Sequence, residues 1–164
     1  MTLTWEEFQF HMLEYQKHHL KEDWKWVIFH SRYAGAGLVL QNKVWKKTNT
    51  TTEEAPLLLE FHILFHSLYQ IPILYCRGQE LDGRSVDINT LFSFEDTQLV
   101  HQIWMTEEHP CLEKESWYTL HACAISNALP TTPKEAIFAW FSLMTPLLKI
   151  TIKEEVGKVG CIGD

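Results

Sequence analysis

Leu57-Leu58-Leu59-Glu60-Phe61-His62-Ile63-Leu64-Phe65-His66-Ser67, followed shortly by Ile71-Pro72-Ile73-Leu74-Tyr75-Cys76-Arg77-Gly78, is the stretch that decides the fold. Both runs are dense in β-branched and aromatic side chains, which suit a pleated, half-buried surface. The connection between them is short and contains Tyr69 and Gln70, with Pro72 just beyond. The spacing predicts two antiparallel strands, the third and fourth of the chain. Asp82-Gly83 marks the next turn.

Upstream, Trp24 to His30 alternates in the manner of a half-buried strand, Gly35 and Gly37 bracket a turn, and Gly37 to Lys46 forms a second strand. Before this hairpin, Thr4 followed by Glu7 is a capping box. Trp5, Phe8, Met12, Leu13, Tyr15 and Leu20 then recur at helical spacing, predicting an amphipathic helix over 4–21. The polar segment Lys47-Thr48-Asn49-Thr50-Thr51-Thr52-Glu53-Glu54 predicts a mobile loop near 47–55. Its Asn49-Thr50-Thr51 sequon has no secretory signal ahead of it.

Downstream, Phe94 to Trp104 fits a short helix that ends before His109-Pro110. Trp117 to Cys123 fits a short strand or extended segment. Pro133 suits a helix start, with Ile137, Trp140, Phe141 and Met144 as its apolar stripe up to Pro146. The expected class is therefore α+β: an antiparallel four-strand meander flanked by helices, in a single domain over 1–164.

Composition narrows the function. A chain of 164 residues with 46% hydrophobic side chains can bury a core without staples. Its net charge of -7 makes a general phosphate-backbone binder a poor fit, so nucleic acid is not expected as a partner. No apolar run approaches the roughly 18 residues of a spanning helix. The first residues lack a signal peptide's basic start and apolar centre, so a soluble, cytoplasmic domain is expected. Cys76, Cys111, Cys123 and Cys161 are scattered, without a Cys-x-x-Cys pair, and point to free thiols rather than a disulfide framework. The pairs His62/His66 and His18/His19 lack a clear third ligand, so no metal site is expected. There is no glycine-rich phosphate loop and no Gly-x-Ser-x-Gly elbow, and no cofactor is expected.

The candidate chemistry lies in Trp117-Tyr118-Thr119-Leu120-His121-Ala122-Cys123. In an extended chain, alternate side chains share a face, so Trp117, Thr119, His121 and Cys123 point one way. Tyr118, Leu120 and Ala122 point toward a core. A thiol beside an imidazole is a usable nucleophile. Asn127 follows four residues later. His109-Pro110-Cys111 is the competing thiol site, placed on a loop.

Four motifs in one order extend this reading: Tyr69-Gln70-Ile71-Pro72-Ile73-Leu74-Tyr75, Leu81-Asp82-Gly83-Arg84, Glu108-His109-Pro110 and Leu120-His121-Ala122-Cys123. With Trp140-Phe141-Ser142 and Pro146, they resemble the autophagy ubiquitin-like-conjugating enzymes, specifically the autophagy-related protein ten family, from about Trp24 to Ile150. The resemblance implies a fold related to the ubiquitin-conjugating enzymes. It also implies that the ubiquitin-like modifier autophagy-related protein twelve is received as a cysteine thioester from the activating enzyme, autophagy-related protein seven. The modifier would then be passed to a lysine of autophagy-related protein five. The activating enzyme spends the ATP, so the missing nucleotide motif agrees.

Register against the family assigns Glu108-His109-Pro110 to its upstream element and Cys123 to the catalytic cysteine, although Cys111 carries the literal His-Pro-Cys triplet. Ala122 departs from the family's proline, which frees a dihedral and adds an N–H. An acceptor lysine is neutral in only about one molecule in 2,500 at pH 7. The oxyanion formed during transfer also needs a donor. His121 is the candidate for one of these tasks, and Asn127 a second candidate donor. The alternatives are an inactive module of the same fold that bridges conjugation partners, and a Cys-His hydrolase, which no local signature favours.

Overall fold

The computed structural model describes residues 3–31, 35–47, 56–87, 92, 104–112 and 114–148. Helix α1 (Trp5–His19) opens with the expected capping box: the Glu7 N–H donates to Thr4 Oγ1 at 3.1 Å, and the Thr4 N–H donates to Glu7 Oε2 at 2.9 Å. The meander follows as β1 (Lys25–Ser31), β2 (Gly35–Lys47), β3 (Pro56–His66) and β4 (Ile71–Gln79), each antiparallel to the one before. Lys47 closes β2, and the rest of the loop expected near 47–55 lies outside the described residues. The turn at Asp82-Gly83 places Gly83 at φ +87, in the left-handed region that glycine enters without cost. A short β5 (Ser85–Val86) returns alongside β4.

Two further strands, β6 (Trp104–Glu108) and β7 (Ser116–Leu120), give the sheet the order β1-β2-β3-β4-β7-β6. Of the helix expected over Phe94 to Trp104, only the last residue is described. Trp104 opens a strand paired with Leu120, and 94–103 lie outside the described residues. Helix α2 (Ala122–Ser126) follows β7 directly. Helix α3 (Pro133–Leu148) starts on Pro133, as expected, and continues past Pro146.

The register separates two faces, because directly paired residues point the same way. The row Trp26, Leu40, Ile63 and Leu74 lies on the helix side. There Phe8 packs edge-on to Trp26 and beside Phe65, while Tyr15 stacks on Phe141 of α3 at 3.8 Å. Burying a ring such as that of Phe8 contributes roughly 2–3 kcal/mol. The opposite row reads Gln41, His62, Tyr75 and Thr119, and beside it lie Lys43, Glu60 and Arg77. That second face is polar yet buried, with Glu60, His62 and Thr119 nearly inaccessible.

Candidate active site

The chain reaches Cys123 by leaving the sheet. Strand β7 stops at Leu120, His121 takes an extended conformation (φ -62, ψ 114) as the cap of α2, and Cys123 is the second residue of that helix. Ala122 and Ile125 are buried and anchor the short helix, which leaves His121 exposed and Cys123 half-buried. The Cys123 Sγ makes a hydrogen bond with His121 Nδ1 and lies 3.6 Å from Nε2. That contact serves either protonation state: the thiol can donate to a neutral ring, or an imidazolium can donate to the thiolate.

The strand's early end corrects the shared face expected for Trp117, Thr119, His121 and Cys123. His121 and Cys123 do meet, but through a helix cap rather than strand alternation. Thr119 is fully buried, and its hydroxyl donates to the Leu74 carbonyl at 2.8 Å. Trp117 is buried beneath the Arg77 guanidinium, 4.3 Å from its ring. Asn127 closes α2 through its backbone N–H, which reaches Cys123 O and Ile125 O, while its side chain is exposed.

The other thiol triplet folds differently. His109 is 2% exposed, and its Nδ1 accepts the Cys111 backbone N–H at 3.0 Å. A backbone N–H can only donate, so the His109 proton sits on Nε2. From there it donates to His62 Nδ1 at 2.9 Å. The His62 proton is then on its own Nε2, 3.0 Å from the Gln41 side-chain amide, which accepts it with the amide turned to present its oxygen. Burial, with the charges of His109, Arg77 and Lys43, lowers the His62 pKa to about 3. Burial and Arg77 lower that of His109 to about 4. Both rings are neutral at pH 7, and both His109 nitrogens are already engaged.

Burial also pushes the thiols of Cys76 and Cys111 up, away from thiolate. Among the described residues, Cys123 is the thiol with an imidazole against its sulfur. His66 Nδ1 instead accepts the Tyr69 N–H at 3.2 Å, and exposed His18 faces Glu14 at 3.7 Å. No group of three His, Cys, Asp or Glu residues able to hold a metal occurs among the described residues. No described helix is long and apolar enough to cross a membrane. The buried His62–His109 pair, 47 positions apart in the chain, had no local signal in the sequence.

Comparison with known proteins adds a family. Residues 39–154 match the model of the autophagocytosis associated protein, active-site domain. Over 109 residues the chain is 26% identical to the human ubiquitin-like-conjugating enzyme ATG10, covering 57% of this chain and 49% of the relative. Over 125 residues it is 23% identical to the ubiquitin-like-conjugating enzyme ATG10 of Arabidopsis thaliana, covering 65% and 55% respectively. The chain thus spans about half the length of the curated relatives it matches.

Proposed function

Because the chain belongs to the autophagocytosis-associated family defined by its active-site domain, we propose that it is a ubiquitin-like-conjugating enzyme of the cytoplasm, with Cys123 as its nucleophile. Its modifier is autophagy-related protein twelve, its donor the activating enzyme autophagy-related protein seven, and its acceptor a lysine of autophagy-related protein five. The observation that carries this reading is the His121–Cys123 contact at the head of α2.

In the loading step, the Cys123 thiol gives its proton to His121 as Sγ attacks the modifier's thioester carbonyl. The bond to the activating enzyme's cysteine breaks, and the leaving sulfur takes that proton from His121, departing as a thiol and restoring the neutral ring. In the transfer step, a lysine nitrogen attacks the same carbonyl, the bond to Cys123 breaks, and His121 takes the surplus amine proton. An imidazole suits both directions because a ring nitrogen can accept a proton from one group and hand it to the next.

Ala122 in place of proline supports an active carrier over a bridging module. His121 already holds the extended backbone that a following proline enforces, and Ala122 occupies the first helical position, which proline favours. The alanine therefore leaves the path of the chain unchanged.

A charging assay tests the proposal: protein, activating enzyme, modifier and ATP, resolved on a gel with and without reductant. Cys123→Ser is expected to lose the reductant-sensitive adduct and Cys111→Ser to keep it. The reverse pattern would assign the thioester to Cys111. No adduct in the wild type, with partner binding retained, would favour the bridging module.

A further inference from the structure

Strand β7 leads into the candidate nucleophile, yet its register with β4 covers only Tyr75↔Thr119 and Cys76↔Tyr118, whereas β3 and β4 pair from Leu58↔Gln79 to His66↔Ile71. After Thr119 the chain stays with β6 through Trp104↔Leu120 and then turns into α2. Thr119 is the last residue in register with β4, two positions before His121 and four before Cys123. Its side chain is 0% exposed, and its hydroxyl donates to the Leu74 carbonyl at 2.8 Å. That bond runs from side chain to backbone across the point where the two strands part.

We propose that Thr119 is a positioning residue: its bond to the Leu74 carbonyl sets the angle at which β7 leaves β4, and so seats His121 against Cys123. The inference rests on the reading of Cys123 as the nucleophile. A β-branched side chain has few χ1 choices, so the buried hydroxyl is held in one direction. Removing it leaves the Leu74 carbonyl without that donor and frees the end of the strand from the sheet. His121 is exposed and has no hydrogen bond as a helix cap, so its aim depends on the backbone that carries it.

The test is a double-mutant cycle on the alkylation rate of Cys123, read by mass spectrometry of its peptide, in Thr119→Val, His121→Ala and the pair. Thr119→Val is expected to slow alkylation about tenfold, on the scale by which small misplacements reduce reactivity. The double variant is expected to be no slower than His121→Ala, because both changes remove the same contact. Effects that multiply, or a Thr119→Val rate equal to wild type, would overturn the inference. Thr119→Ser keeps the hydroxyl and is expected to alkylate at the wild-type rate, so a slow serine variant overturns it even if the valine variant does not fold. Alkylation needs neither modifier nor activating enzyme. A protein that never charges but keeps this coupling would sink the carrier reading alone, and a protein that charges without the coupling would sink this inference alone.

Discussion

His109-Pro110-Cys111 and His121-Ala122-Cys123 place the same two residue types at the same spacing and fold into chemically opposite sites. In the first, the imidazole is buried, accepts the cysteine's own backbone N–H and donates its Nε2–H inward to His62. In the second, the imidazole is exposed and meets the cysteine's sulfur. The difference comes from the residue after each histidine and the backbone it starts. Pro110 leads into a turn tied by Leu112 N–H to His109 O and by Glu115 N–H to Leu112 O, which lays the His109 ring back over the polar face of the sheet. Ala122 instead begins a helix whose first turn raises the thiol beside the capping residue. A His-x-Cys spacing therefore encodes no chemistry by itself; the local fold decides whether the ring serves the backbone or the sulfur.

Acid separates the two sites most strongly. His62 faces His109, Arg77, Lys43, Gln41 and the Glu60 carboxylate, whose Oε2 is 4.0 Å from its Nε2. His109 faces Arg77, Tyr75, the Cys111 amide and the rings of Phe29 and Trp117. Both folded pKa values, about 3 and about 4, lie below the ordinary 6.5. The unfolded chain thus binds more protons below pH 6.5, and stability present above that pH is lost as pH falls toward 4 and then 3. At pH 5 the expected loss is about 2 kcal/mol for each imidazole. Urea midpoints at pH 7 and pH 5 measure it. The loss is expected to shrink in a variant carrying His62→Gln with His109→Gln, and an unchanged loss there would place the acid sensitivity elsewhere.

Thiol reactivity gives the next largest contrast. Burial holds Cys111 toward its protonated form, whereas Cys123 shares a hydrogen bond with His121. At pH 7 iodoacetamide is expected to label Cys123 about tenfold faster than Cys111, since the thiolate is the reacting species. His121→Ala should narrow that gap by slowing Cys123 alone. Equal labelling of both cysteines in the wild type would remove the contrast on which the choice of nucleophile rests.

Local chemistry made much of this legible in the sequence. Thr4 and Glu7 announced the first helix, Pro133 the last, and the dense run from Leu57 to Gly78 the central hairpin. Nonlocal pairing was not legible. Trp104-Met105-Thr106-Glu107-Glu108 shows no alternation because it is an edge strand with little buried side, and only its pairing with β7 makes it a strand. Trp117 and Thr119 were assigned to an active-site face because alternation assumes one buried side. Here both sides are buried: Leu120 is nearly inaccessible on one, and Trp117 and Thr119 are covered on the other. The end of β7 at Leu120 had no breaker to mark it, since Ala122 and Ile125 start a helix by burial rather than by a capping side chain.

The smallest effect tests whether the second triplet is a histidine-proline site in all but sequence. His121 sits at φ -62 and ψ 114, the extended region to which a residue before proline is confined. Ala122 is the first helical residue, where an amide N–H has no partner within the helix and proline's missing N–H costs nothing. Ala122→Pro should therefore fit without strain and stabilise the fold by about 0.4–1 kcal/mol, by restricting the unfolded chain. Cys123 labelling should stay within about twofold of wild type, because the conformation that presents the thiol is already in place. Thermal melting read beside the labelling rate decides it. A destabilised variant would mean that alanine's freedom is used in the folded state, and that the two triplets differ in their backbones as well as in burial.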